Sequence, residues 1–186
     1  MVQDTLAGQT LIVNKGMNMK KLMPVLLAAA CGAALAQAAP LDKKDRAFIE
    51  KASAGGMEEV LAGKMAEGKA QNADVKSLAG MLVADHSANN QQLQALAEQK
   101  GVKLPTTLPH KQQKKIDKMA KAKDFDTTFV HVQGIEDHKE DIKDFEKASK
   151  DAKDPDVKAF AAKTLPVLQK HLQRAEEISN SMKGKG

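Results

Sequence analysis

Asp74-Val75-Lys76-Ser77-Leu78-Ala79 recurs further along the chain as Asp156-Val157-Lys158-Ala159-Phe160-Ala161. Each copy opens a stretch rich in Ala, Leu, Lys, Gln and Glu, residues that lose little on entering a helix. Phe48 precedes the first copy much as Phe129 precedes the second. The repetition predicts two helical hairpins of one design, an old duplication in which each hairpin must bury its apolar stripe against the other.

Stop signals around the repeats set the boundaries. Gly68 and Asn72 interrupt the first hairpin and Gly101 closes it, while Asp154-Pro155 supplies an N-cap followed by proline at the first helical position. Four helices are expected, over about Asp42–Lys69, Ala73–Lys100, Asp124–Ala152 and Pro155–Ser181. A longer connection, Val102 to Lys123, carries Pro105 and Pro109 and then a short basic helix. Short, long, short connections predict an all-α, ferritin-like four-helix bundle made of two helical hairpins. No alternating stretch supports a strand, and only 3% of the 186 residues are aromatic, with no Trp or Tyr.

The first 38 residues read differently. Lys20 and Lys21 precede an apolar run, Leu22 to Leu35, that ends in Ala36-Gln37-Ala38. This is the pattern of a secretory signal peptide, and cleavage is expected after Ala38, leaving residues 39–186 as one domain. Residues 1–16 have no place in such a leader, so Met17 or Met19 is the expected initiator. The only cysteine, Cys31, lies inside the leader, which leaves the exported part without thiol chemistry. Acylation of Cys31 is the alternative, though Ala28 stands where lipoprotein signals favour a larger aliphatic residue. The expected compartment is therefore the periplasm or the exterior.

The net charge of +5 is mild and interspersed, and only the Lys-rich stretch from His110 to Lys123 and the extreme C-terminus are locally basic. With no aromatics among those lysines, nucleic acid is not an expected partner. Contact with an anionic membrane surface is expected to be weak at most. A homo-oligomer stays open.

Polar residues interrupt the core stripe of every helix. Helix 1 offers Phe48, Ala52, Gly56, Glu59 and Gly63, and helix 2 offers Val75, Leu78, Leu82, His86, Leu93 and Leu96. The third offers His131, Ile135, His138, Ile142 and Phe145, the fourth Val157, Phe160, Thr164, Leu168, His171 and Ala175. At 1.5 Å rise per residue, Glu59, His86, His138 and His171 all fall near the bundle midpoint. Buried imidazoles and carboxylates cost free energy unless paired. One resolution is a divalent transition metal held by these four, with zinc, copper or iron suited to the ligand types. The other is structural pairing, through Asp85 with His86, Asp137 with His138, and Glu59 with His171. The two Glu-x-x-His motifs of a di-iron centre are missing. So are a serine-hydrolase arrangement, a phosphate loop and a nucleotide fingerprint. Gly55-Gly56 points to close helix packing, and Met57, Met65 and Met81 read as core filler.

Residues 42–178 resemble the bacterial domain-of-unknown-function 4142 family, ferritin-like helical proteins often described as outer-membrane or exported. The resemblance rests on Gly55-Gly56-Met57-Glu58-Glu59-Val60, Met81-Leu82-Val83-Ala84-Asp85-His86, Glu136-Asp137-His138, Asp156 to Ala162, Thr164-Leu165-Pro166 and His171-Leu172. It implies a helical bundle in the bacterial envelope and brings no catalytic residues. An outer-membrane barrel is excluded by the lack of amphipathic strands. The expected function is non-catalytic binding or an envelope-stress role around a core metal. A metal-dependent oxidase and a ligand-free structural adaptor are the alternatives.

Overall fold

In the computed structural model the described residues are 40–184, and they are helical with no strand among them. The expected leader and cleavage point, with Cys31, lie outside the described residues. The chain runs through α1 (Lys43–Lys69), α2 (Ala73–Gln99), the short α3 (His110–Ala120), α4 (Phe125–Phe129), a π-helical stretch (Val130–Asp137), α5 (His138–Asp151) and α6 (Pro155–Lys183). α1 packs along α2, and the π stretch with α5 packs along α6, so the two hairpins form a helical bundle. α3 lies in the long connection and packs on α1.

Local chemistry explains the boundaries. The carboxylates of Asp42, Asp124 and Asp154 and the Asn72 side-chain oxygen accept hydrogen bonds from backbone N–H groups of the first turns they precede. Pro155 occupies the first turn of α6, where its missing N–H is not needed. α2 ends at Gly101, whose φ of 64° is the left-handed conformation that glycine adopts without steric cost. Two more aspartates tie the hairpins together. Asp126 accepts from the backbone N–H groups of Gln71 and Asn72, in the turn of the first hairpin. Asp45 accepts from Lys153 and Asp154 N–H, in the turn of the second. Asp45-x-x-Phe48 and Asp126-x-x-Phe129 thus repeat one device, each hairpin clamping the other's turn.

Third-helix expectations need correcting. Residues 124–152 do not form one α-helix, because Val130–Asp137 is π-helical. Hydrogen bonds from i to i+5 put more residues in each turn, so positions seven apart no longer share a face. His131 is therefore on the surface, its side chain 55% exposed, although it shares a heptad spacing with the fully buried His138. Gly134 makes the stretch fit: a Cβ there would lie 2.6 Å from the Ala175 Cβ.

Apolar clusters occupy both ends of the bundle. One holds Leu78, Leu82, Ile116, Met119, Phe129 and Ile178, and the other is built around Ile49, Leu93, Leu96, Phe145, Val157 and Leu168. Each fully buried large side chain contributes about 1.5–3 kcal/mol. In every long helix the polar positions fall between these clusters in sequence, which creates a polar layer across the middle of the core. α1 and α2 approach closely enough to need glycine at Gly63, where a Cβ would lie 2.6 Å from Val83 Cγ2 and 3.1 Å from the Ala79 carbonyl oxygen, whereas a Cβ on Gly56 would meet only the end of the Asn90 side chain, which would have to move. Gly80, by contrast, has only the flexible end of Glu67 at 3.5 Å. Gly63→Ala is expected to destabilise by about 1–3 kcal/mol and Gly80→Ala to stabilise by about 0.5–1 kcal/mol. Urea unfolding of the two variants checks this, and equal effects would disprove the close approach.

Candidate metal centre

Four helical segments each bring one titratable group into the polar layer: Glu59 from α1, His86 from α2, His138 from the first position of α5, and His171 from α6. His138 and His171 have no exposed surface, and Glu59 and His86 keep only 3% and 4%. Ring centroids lie 5.5 Å apart for His86 and His138, 5.2 Å for His86 and His171, and 5.2 Å for His138 and His171. One ring nitrogen from each histidine lies within 4.8 Å of the other two. All four residues singled out by the stripe argument therefore meet, while His110 and His131 stay at the surface.

Hydrogen-bond partners identify which nitrogens are occupied and which are left free. His138 Nδ1 is 2.7 Å from the Gln133 carbonyl oxygen, which only accepts, so Nδ1 carries the proton and Nε2 is left with a lone pair. His86 Nδ1 is 2.9 Å from Glu59 Oε2, and its Nε2 is buried with no partner. His171 Nε2 is 2.9 Å from Asp85 Oδ2, which leaves Nδ1 facing His138 Nε2 at 3.1 Å. A neutral His171 has a single N–H. Donated to Asp85, that proton leaves two nitrogen lone pairs opposed at 3.1 Å. Donated to His138, it leaves a lone pair against the Asp85 carboxylate. Either arrangement lacks one positive charge, and a cation among the three nitrogens would supply it.

Burial sets the protonation states. It pushes His86 down to about 4, slightly opposed by Asp85, and pushes His138 down to about 4, with the Glu59 charge opposing. His171 is lowered for the same reason, against its bond to Asp85. Near neutral pH the imidazoles are uncharged and their lone pairs are free for coordination. Burial pushes Glu59 up to about 7, with the positive side of His138 opposing and Asp137 and Glu58 adding to the rise. Glu59 touches the Nδ1 atoms, at 2.9 Å from His86 and 3.5 Å from His138.

The expected structural pairings are corrected. Asp85 bonds to His171 rather than to its neighbour His86, Asp137 pairs with Lys115 at 2.8 Å rather than with His138, and Glu59 meets His86 and His138 rather than His171. Sequence neighbours on a helix point about 100° apart, so an acid beside a histidine faces elsewhere. Sequence reasoning also missed Gln133, which holds His138 through its carbonyl and donates to Glu58 Oε1 at 3.0 Å. Its role depends on the π stretch, which left no signal. A cavity of about 20 Å³ adjoins the cluster, bordered by Glu59, His86, Asn89 and Thr164, room for one water-sized group.

Among curated proteins none matches the chain. Among solved structures, the bundle is similar to the crystal structure of a DUF305 fragment from Deinococcus radiodurans, with a TM-score of 0.66 and 12% identity over 77% of this chain and 99% of that one. It is also similar to CopM in its Cu(I)-bound and Cu(II)-bound forms, each with a TM-score of 0.63 and 17% identity over 74% of this chain and 96% and 97% of those chains. At such identities the likeness is one of fold. No described helix is long and apolar enough to cross a membrane. The sequence itself matches the model of Domain of unknown function (DUF4142) over residues 30–178, and the chain belongs to that family.

Proposed function

We propose that this protein holds a single transition-metal ion in the centre of its bundle, through His86 Nε2, His138 Nε2 and His171 Nδ1, as a non-catalytic metal-binding protein of the bacterial envelope. The observation that carries this reading is the convergence of one ring nitrogen from each histidine within 4.8 Å, while Glu59, the Gln133 carbonyl and Asp85 each hold one nitrogen of a ring and leave the other without a protein carboxylate or carbonyl. A carboxylate or carbonyl behind each imidazole is what fixes the tautomer and orientation of a metal-ligating histidine. Glu59, a ligand on the sequence expectation, becomes the group that orients His86 and supplies negative charge behind two rings. Three neutral imidazoles suit copper, zinc or iron by ligand type. Three protein ligands also leave a coordination position, and the adjoining cavity can hold a water there. Copper is the ion to test first, since CopM shares this fold and was solved with copper in two oxidation states.

Export through the leader fits such a role, and the periplasm is the proposed compartment. The test is to express the full chain, recover it from the osmotic-shock fraction, read its N-terminus, and titrate the stripped protein with Cu²⁺ and Zn²⁺. About one ion per chain, an N-terminus at Ala39 and a melting temperature that rises with free metal are expected, since an ion that binds only the folded state stabilises it by about 2.7 kcal/mol at 100 times its Kd. Absence of stoichiometric binding by either ion would reduce the cluster to a buried hydrogen-bond network.

A further inference from the structure

The histidines are buried too deeply to meet an ion directly. A cleft of about 150 Å³ between α1, α3 and α5 descends toward them, and Glu59 forms part of its lining. Glu59 is the group that touches both His86 and His138, and its Oε1 is buried with no hydrogen-bond partner. The cleft is lined by Glu58, Asp137, Glu140 and Asp141. Three lysines also line it and offset part of this charge: Lys115 Nζ lies 2.7 Å from Glu58 Oε1 and 2.8 Å from Asp137 Oδ1, Lys51 Nζ lies 2.6 Å from Glu140 Oε1 and from Asp144 Oδ2, and Lys111 stands on the border. Asp141, between the two paired groups, forms no ion pair with any described cation. Beside it α1 carries Gly55, where a Cβ would come no nearer than 3.9 Å to the Asp141 oxygens. A glycine inside a helix costs about 1 kcal/mol relative to alanine, and here no packing contact requires it. Its effect is to keep the cleft open.

We propose that this cleft is a cation-docking site and the passage by which a hydrated transition-metal ion reaches the three histidines. The inference rests on the metal reading above. Asp141 takes the arriving ion, Glu59 Oε1 receives it at the inner end, and Lys115, by holding Glu58 and Asp137 together, stands as a displaceable ammonium in the path. The ionised carboxylates of a low-dielectric cleft raise the local concentration of cations, an effect that salt screens, and a carboxyl raised by burial, such as Asp141, gives up its proton as the ion arrives.

Stopped-flow absorbance of the stripped protein mixed with Cu²⁺ tests this in wild type, Asp141→Asn, Gly55→Leu and Lys115→Met, with folding checked by circular dichroism. Loading is expected to slow about tenfold or more in Asp141→Asn and in Gly55→Leu. In Lys115→Met it is expected to accelerate. All variants should still bind one ion at equilibrium, and the wild-type rate should fall with added salt. Gly55→Leu keeps the test intact if Lys115→Met fails to fold, because the new side chain enters the cleft and its Cβ makes only ordinary contact with Asp141. Unchanged loading rates in Asp141→Asn and Gly55→Leu, with one ion still bound, would overturn the passage and leave the histidine site standing. No bound copper in wild type would remove the histidine site, and the passage with it.

Discussion

Replacing His138 by alanine is expected to lower affinity for Cu²⁺ or Zn²⁺ by more than about 100-fold, the most that losing a hydrogen-bond partner behind a ligand usually costs. The metal-free protein is also expected to lose about 3 kcal/mol of stability. His138 has no exposed surface, so truncation leaves a cavity in the middle of the bundle. It also strands the Gln133 carbonyl, which His138 Nδ1 contacts at 2.7 Å, and removes the group facing His171 Nδ1 at 3.1 Å. The two effects separate experimentally: urea unfolding of the stripped protein reads the packing loss, and metal titration of the folded variant reads the ligand loss. His131→Ala is the control, because that histidine is on the surface and should change neither quantity by more than about 0.5 kcal/mol. A His138→Ala variant that keeps wild-type affinity would take His138 out of the site.

What made this centre legible was substitution within a pattern. His86, Thr164 and His171 each stand where an apolar residue would continue a core stripe, and residue counts from the turns put Glu59, His86, His138 and His171 at one level. Helix ends were legible for a similar reason, since Asn72, Gly101 and Asp154-Pro155 act through their own backbone preferences and need no tertiary partner. The π stretch was not legible. It is tied to the contact of Gly134 with Ala175, and a contact between distant residues has no local signature. Partner assignment failed for a different reason: hydrogen bonds in the core join residues far apart in sequence, such as Asp85 and His171, and adjacency in the chain misdirects. The Asp45 and Asp126 clamps were hidden in the same way, although the repeated spacing to Phe48 and Phe129 carried half of the information.

The second large effect lies in the cleft. Asp141→Asn is expected to stabilise the metal-free protein, with a gain that grows with pH. Burial pushes Asp141 up to about 9, reinforced by the Glu59 and Asp137 charges and only partly relieved by Lys51. Between its unfolded value of 3.8 and the folded 9, the folded protein binds more protons at this site than the unfolded chain, so stability falls as pH rises. Asparagine carries no such penalty. The variant's advantage should be small near pH 4 and reach about 3 kcal/mol by pH 9, after allowance for water at the cleft's mouth. His86 and His138 act with the opposite sign. Their folded values near 4 lie below the ordinary 6.5, so their contribution is complete above pH 6.5 and is lost as pH falls toward 4. Wild-type stability should therefore vary little across pH 5–7, where the carboxylate and imidazole slopes oppose each other, and Asp141→Asn should turn that plateau into a rise with pH. Urea unfolding of both proteins at pH 5, 7 and 9 gives the comparison, and a gain equal at all three values would mean that Asp141 is not an uncompensated charge. An aspartate that weakens the folded state at neutral pH and speeds cation uptake would be kept for the second property, because nothing in its packing requires the first.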